Sequence, residues 1–162
     1  MTSLPFFQVD AFAAQPFEGN PAAVIPLDSW LPDEVMLQIA AENNHSETAV
    51  FIPSHRDDAD YDLRWFTPSV EVRLCGHATL ATAHVLPFEG RVRFSTLSGI
   101  LTVEHREGKL WIDFPASKIT PAPIGDEPGA LGAEILGIWS VKGGNDGAIA
   151  LVDSEVTLHA LT

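Results

Sequence analysis

A strand-to-helix junction at residues 74–79, Leu-Cys-Gly-His-Ala-Thr, is the feature of this sequence that most constrains its fold. Apolar alternation predicts a strand over 70–74, and apolar and small residues at helical spacing predict a helix that ends near Leu86. Gly76 opens the junction, so backbone N–H groups, including that of Ala78, lie at the start of a helix. Such a position attracts anions, and the sequence therefore predicts an anion-binding helix end.

The other apolar runs are mostly short or alternating, which predicts strands. One further helix is predicted at 32–42, where Pro32 suits a first helical position and acids follow it. A stretch rich in Pro, Ala and Gly at 115–128 predicts a linker. We therefore expect a first domain at 1–118, and a linker with the start of a second half at 119–162. The predicted strands lie at 6–12, 22–26, 48–52, 61–66, 92–97, 101–105 and 110–114, the last two as an antiparallel hairpin. Past the linker, we predict a helix at 129–136, a hairpin of 138–141 with 148–152 around the turn 143–147, and a helix at 154–161.

The charge balance excludes several classes of function. Nine basic residues against 22 acidic residues give a net charge of −13, which is the wrong sign for nucleic-acid or polybasic membrane binding. A single cysteine, Cys75, excludes an intramolecular disulfide framework. With no export signal or membrane-spanning stretch in view, we expect a cytoplasmic protein. A hydrophobic share of 46% beside so few charges suggests a subunit interface, and we expect a homodimer.

Three polar residues are candidates for a site. His77 at the helix start is a candidate for contacting a substrate carboxylate or for moving a proton, although a packed histidine in a capping turn is the simpler interpretation. Glu47 follows an apolar helix and begins an apolar strand, where burial would favour its protonated form and make it a proton carrier; the alternative is a solvated loop glutamate. Asn20, in the turn at 19–21, either binds a ligand or closes the turn.

Other interpretations have less support. His77 and His84 would lie about 10 Å apart on a helix at roughly 1.5 Å per residue, so we expect no metal site. Ser46 lacks the Gly-x-Ser-x-Gly setting of a hydrolase nucleophile. The glycines at 143–147 match no nucleotide-binding motif, so we expect no cofactor. Cys75 at a helix start is either a nucleophilic thiol or a small buried residue.

Five ordered segments resemble the N-terminal half of the phenazine-biosynthesis isomerase (PhzF-like) family. They are residues 9–12 (Val-Asp-Ala-Phe), 17–24 (Phe-Glu-Gly-Asn-Pro-Ala-Ala-Val), 41–49 (Ala-Glu-Asn-Asn-His-Ser-Glu-Thr-Ala), 64–68 (Arg-Trp-Phe-Thr-Pro) and 74–79.

The resemblance implies an α+β protein of the diaminopimelate-epimerase-like fold, with a curved mixed sheet around a central helix. It implies an isomerase without metal or organic cofactor that moves a proton between carbons of a small carboxylated substrate; the type member isomerises a dihydro-hydroxyanthranilate. Glu47 matches the proton-shuttling glutamate, and Gly76 and His77 match the glycine–histidine pair at the substrate. Asn20, Gly76 and Ala78 are the expected substrate-binding residues.

Family members carry a second half that faces the first, and we expect that half to be incomplete here. Three explanations stay open: the chain is a truncated product, the missing half is another polypeptide, or two copies of the chain assemble a composite site. Two other functions stay open. One is an amino-acid epimerase or racemase that uses Cys75 as a thiolate base, and the other is a catalytically dead, self-associating binding module.

Overall fold

The computed structural model describes residues 3–15, 18–114, 116–125, 127–142 and 147–161. The chain divides into two compact units, Met1–Phe114 and Pro115–Thr162. The described part of the first unit contains β1 (Phe7–Ala11), β2 (Asn20–Pro26), α1 (Asp33–Asn43), β3 (Glu47–Pro53), β4 (Tyr61–Phe66), β5 (Glu71–Val72), α2 (Gly76–Val85), β6 (Arg91–Thr96), β7 (Gly99–Arg106) and β8 (Lys109–Asp113).

The strands of the first unit form one mixed sheet, in the order β1-β2-β3-β4-β6-β7-β8, with β5 paired to β4. The pairs β2–β3 and β4–β6 are parallel, and the other pairs are antiparallel. A parallel pair needs a crossover connection, and α1 and α2 lie in the two crossovers. The expected α+β class and mixed sheet are confirmed.

The two helices cover opposite faces of the sheet. Along β3, the side chains of Ala49 and Phe51 join the core around α2, whereas those of Val50 and Ile52 join the core around α1. A strand that is covered on both faces is buried along most of its length, and its sequence is a nearly continuous apolar run. β3 has both features.

The sheet curves around α2 because that helix is narrow. The helix contacts β1 at one edge of the sheet and β8 at the other edge, as well as β2 and β3 between them. Its buried side chains are small and include Ala78, Ala81 and Ala83. Its buried threonines, Thr79 and Thr82, turn their hydroxyls back to carbonyls one turn earlier, so they leave no unpaired oxygen in the core.

The second unit contains a three-stranded antiparallel sheet in the order β11-β10-β9, with two short helices, within its described residues. The predicted linker is wrong at 118–122, which form β9. This is an edge strand, and an edge strand tolerates Pro121 because one side of it needs no ladder hydrogen bond. The predicted hairpin of β10 and β11 is confirmed, while residues 143–146 of its turn lie outside the described residues. The elements are β9 (Lys118–Ala122), α3 (Glu127–Leu131), β10 (Gly137–Lys142), β11 (Gly147–Leu151) and α4 (Glu155–His159).

Other local predictions agree with the structure within a few residues. Asn44 ends α1 with a φ of 52°, as a left-handed helix stop requires. The β7–β8 hairpin turns at Glu107 and Gly108, whose positive φ angles suit a two-residue hairpin loop. The predicted strand at 70–74 shortens to β5, and the helix predicted at 129–136 ends at Leu131. No helix in the described ranges is both long and apolar enough to cross a membrane.

Two leucines on neighbouring parts of one hairpin test this core. Leu101 on β7 is 1% exposed, and Leu97 in the preceding turn is 54% exposed. We expect Leu101→Ala to lower the free energy of unfolding by about 2–5 kcal/mol, because it removes buried apolar contacts and leaves a cavity. Leu97→Ala is the matched control and should change it by less than about 0.5 kcal/mol. Urea unfolding measures both, and equal effects would contradict the burial described.

Candidate active site

Three chain segments meet where β2, β3 and α2 begin. The strands β2 and β3 are parallel and pair in a register that sets Ala22 opposite Glu47, so their first residues lie at the same end of the two strands. The helix α2 starts at Gly76 and contacts both strands. The fold therefore brings the start of α2 to residues that lie about 30 and 55 positions earlier in the chain.

The side chains at this end of the strands lie close together. Glu47 Oε2 lies 3.4 Å from His77 Nε2. Ser46 Oγ lies 3.4 Å from the same nitrogen and donates a long hydrogen bond of 3.5 Å to Asn20 Oδ1. Asn20, Glu47 and His77, which the sequence analysis proposed as site residues, thus lie in one cluster, and Ser46 joins them.

The carboxylate of Glu47 is only partly solvated. Its side chain is 21% exposed, but its Oε2 atom is buried and accepts no hydrogen bond from any residue that the structure describes. A buried acceptor without a donor costs free energy and is uncommon in a folded protein. Such an oxygen, placed beside a histidine, is a candidate position for proton exchange with a bound molecule.

His77 is held as a neutral imidazole. Its side chain is 10% exposed, and desolvation lowers its pKa below the usual value for histidine. The negative charge of Glu47 and a hydrogen bond to the Pro21 carbonyl oppose this shift without reversing it. At neutral pH the ring therefore carries one proton, with one nitrogen as a donor and the other as an acceptor.

Cys75 lies on the other side of the His77 ring, with Sγ 3.4 Å from Nδ1. Burial, with a smaller contribution from the negative charge of Glu47, raises the pKa of the thiol to about 12. The Ala78 backbone N–H offsets part of the shift, although the side chain makes no full capping hydrogen bond. The thiol is therefore protonated at neutral pH, and this disfavours the hypothesis of Cys75 as a thiolate base.

The side chains of Glu47, Cys75 and His77 are also of metal-ligand type, and one atom of each lies within 4.8 Å of the others. Residue spacing could not show this group, because its members come from different elements. The short contacts, however, use opposite nitrogens of one ring: Sγ faces Nδ1, and Oε2 faces Nε2. Since one ring nitrogen serves one ion, this geometry fits a hydrogen-bond chain across the ring better than a chelate.

The start of α2 offers backbone donors to the same place. The first N–H groups of a helix, here those of Gly76, His77 and Ala78, have no carbonyl partner within the helix, and the helix dipole adds positive potential. The ring of Phe114 lies over Gly76, where an added Cβ would approach Cζ to 2.8 Å. Glycine thus lets an aromatic ring close over the first turn, a contact that the sequence did not predict.

Ser46 is the residue that sequence reasoning undervalued. We considered it only as a hydrolase nucleophile, whereas in the structure its hydroxyl connects Asn20 to His77. The available signal was its position directly before Glu47, because a polar residue preceding a buried strand stays at the strand's edge.

A curved mixed sheet around a central helix, with polar residues at the start of that helix, defines the diaminopimelate-epimerase-like fold. The chain belongs to the phenazine biosynthesis-like protein (PhzC-PhzF) family, which residues 9–159 match.

Individual relatives agree with this assignment. Two uncharacterized isomerases of Pseudomonas aeruginosa are 51% and 46% identical to this chain, over 98% and 97% of it. The crystal structure of a PhzF-family phenazine biosynthesis protein from Enterococcus faecalis superposes on 99% of the chain, with a TM-score of 0.83 at 40% identity. The chain spans 61% and 60% of the two isomerases and 62% of the solved structure.

The electrostatics of the pair give a titration prediction. The charge of Glu47 raises the His77 pKa and desolvation lowers it, so Glu47→Gln should lower the His77 pKa further below that of the wild type. Proton NMR titration of the ring signals measures the shift. Glu42→Gln, on the exposed face of α1, is the control and should leave the His77 titration unchanged. A rise in the His77 pKa in Glu47→Gln would contradict the arrangement.

The same shift predicts how stability depends on pH. Because the His77 pKa is lower in the folded state than in the unfolded state, the unfolded state binds the proton first as pH falls. The contribution of the neutral ring to stability is therefore complete above the unfolded-state pKa, near 6.5, and is lost as pH falls toward the folded-state value. Urea unfolding of the wild type and of His77→Gln is measured from about pH 5 to about pH 8, the range in which histidine titrates. The free energy of unfolding should depend less on pH in the variant, and equal slopes would contradict a lowered His77 pKa.

Proposed function

We propose that the chain carries the acid–base residues of an isomerase that moves a proton between two carbons of a small, carboxylate-bearing substrate. The observation that carries this proposal is the buried Oε2 of Glu47, which lacks a hydrogen-bond donor among the described residues and lies 3.4 Å from His77 Nε2. Family membership and the isomerase names of two relatives support the reaction class.

Glu47 is the proposed proton carrier. An ionised carboxylate removes a proton from an activated carbon, holds it as a carboxylic acid, and returns it to a different carbon of the same molecule. Partial burial favours return of the proton to the bound substrate, while the 21% exposure of the Glu47 side chain lets a share of the carried protons exchange with solvent. Atoms balance without any further reactant: one C–H bond breaks, another forms, and the double bond between them shifts.

The substrate carboxylate is proposed to bind at the start of α2. The backbone N–H of Gly76 supplies one donor, the N–H of Ala78 supplies a second that it shares with the Cys75 sulfur, and the side-chain amide of Asn20 supplies a third. A neutral His77 suits this site better than a charged His77. It stays beside Glu47 without forming a strong ion pair that would reduce the basicity of the carboxylate.

Hydrogen–deuterium exchange at the substrate carbons tests this function. Wild-type protein is incubated in D₂O with a dihydro-hydroxyanthranilate and with an analogue lacking the carboxylate, and deuterium incorporation is followed by mass spectrometry. We expect incorporation only with the carboxylate, and Glu47→Gln should reduce its rate by about 10²–10⁴-fold, the usual contribution of a general acid–base group. Glu42→Gln should exchange at the wild-type rate. Undiminished exchange in Glu47→Gln would reject Glu47 as the proton carrier.

A further inference from the structure

The His77 ring lies between two groups that need opposite behaviour from it. Cys75 Sγ lies 3.4 Å from Nδ1, and Glu47 Oε2 lies 3.4 Å from Nε2. A neutral imidazole has one N–H and one lone pair, and its two tautomers exchange these roles. The neighbouring groups therefore decide which nitrogen faces the carboxylate with a proton.

The protonated thiol of Cys75 is suited to donate toward the ring. The residue is 6% exposed, and burial keeps its proton on sulfur. The Ala78 backbone N–H already acts on the sulfur as a donor. The group that the thiol still offers is its S–H, and Nδ1 of His77 lies within hydrogen-bond reach of the sulfur at 3.4 Å.

The groups on the opposite side of the ring require the same tautomer. A carboxylate only accepts hydrogen bonds, so Glu47 Oε2 needs a proton on Nε2. The Ser46 hydroxyl donates to Asn20 Oδ1, so its oxygen faces Nε2 as an acceptor too. The contacts with Cys75, Glu47 and Ser46 thus favour one tautomer, with the lone pair at Nδ1 and the proton at Nε2. The hydrogen bond from the ring to the Pro21 carbonyl fits this tautomer with Nε2 as its donor.

We propose that Cys75 is a positioning residue that fixes His77 as the Nε2–H tautomer, so that the N–H of the ring, and not its lone pair, faces the carboxylate of Glu47. In the other tautomer, the Nε2 lone pair would face a carboxylate oxygen 3.4 Å away, which is repulsive. In the proposed tautomer the N–H faces that oxygen as an electrostatic contact, and the oxygen still accepts no full hydrogen bond from the described residues. The tautomer is inferred from the contacts around the ring alone. Only its consequence for proton transfer rests on the proposed function.

Nitrogen NMR of the full chain tests the tautomer without any substrate. The ¹⁵N shifts of both ring nitrogens of His77 are recorded at pH 8, well above about 6.5 where histidine is ordinarily half protonated, and are assigned by their loss in His77→Gln. We expect a protonated Nε2 and an unprotonated Nδ1 in the wild type. Cys75→Ala removes the donor and should lower the ratio of Nε2–H to Nδ1–H about fivefold, the usual effect of one net hydrogen bond.

Two further variants separate positioning from packing. Cys75→Ser keeps a donor and should retain the wild-type tautomer, whereas Cys75→Val fills the space without a donor and should behave like Cys75→Ala. The exposed His84, on the same helix, serves as an internal reference whose signals should not change. Circular dichroism shows which variants fold, and the wild-type spectrum tests the proposal even if none does.

The proposal is overturned if wild-type His77 is protonated at Nδ1, or if Cys75→Ala and Cys75→Val keep the wild-type ratio of tautomers. Its failure is distinct from failure of the proposed function. A chain that shows the Nε2–H tautomer but no deuterium incorporation would support the role of Cys75 and reject the proposed isomerase. A chain that incorporates deuterium but shows the Nδ1–H tautomer would reject only the role of Cys75.

Discussion

The close packing of the sheet around α2 is the constraint on which the rest of the first unit depends. Strands from both edges of the sheet contact this one helix, and this is possible because its buried side chains are mainly alanine and threonine. A larger residue at Ala78 or Ala81, each at most 1% exposed, would push the sheet outward. The same packing sets the start of α2 against the first residues of β2 and β3, so one arrangement of helix and sheet forms both the core and the candidate site.

Much of the fold could be predicted from the sequence because its signals are local. Asn44 and Gly108 mark a helix end and a hairpin turn through their own backbone preferences, and the structure has them there. The strand β9 could not be predicted in this way. Its residues have weak strand preference, and its pairing with β10 depends on tertiary contact.

The candidate site was predictable residue by residue, but its geometry was not. Glu47 and His77 stand out through their positions at element ends and through the resemblance, but nothing local states that their side chains lie 3.4 Å apart. That distance depends on the parallel register of β2 with β3 and on how far α2 reaches along the sheet. The role of Cys75 depends in turn on which nitrogen of His77 it meets, and this is a property of side-chain orientation alone.

Electrostatics explain why the site needs this degree of local order. With a net charge of −13, the chain as a whole repels a small carboxylate, so attraction must come from a local field. A protonated His77 would supply positive charge but would also pair with Glu47 and reduce its basicity. In the proposed reaction, a neutral ring and the helix dipole of α2 separate the two tasks: backbone N–H groups would hold the anion, and the carboxylate would stay available as a base. The unpaired oxygen of Glu47 is thus a cost in stability that keeps an acceptor ready for a proton.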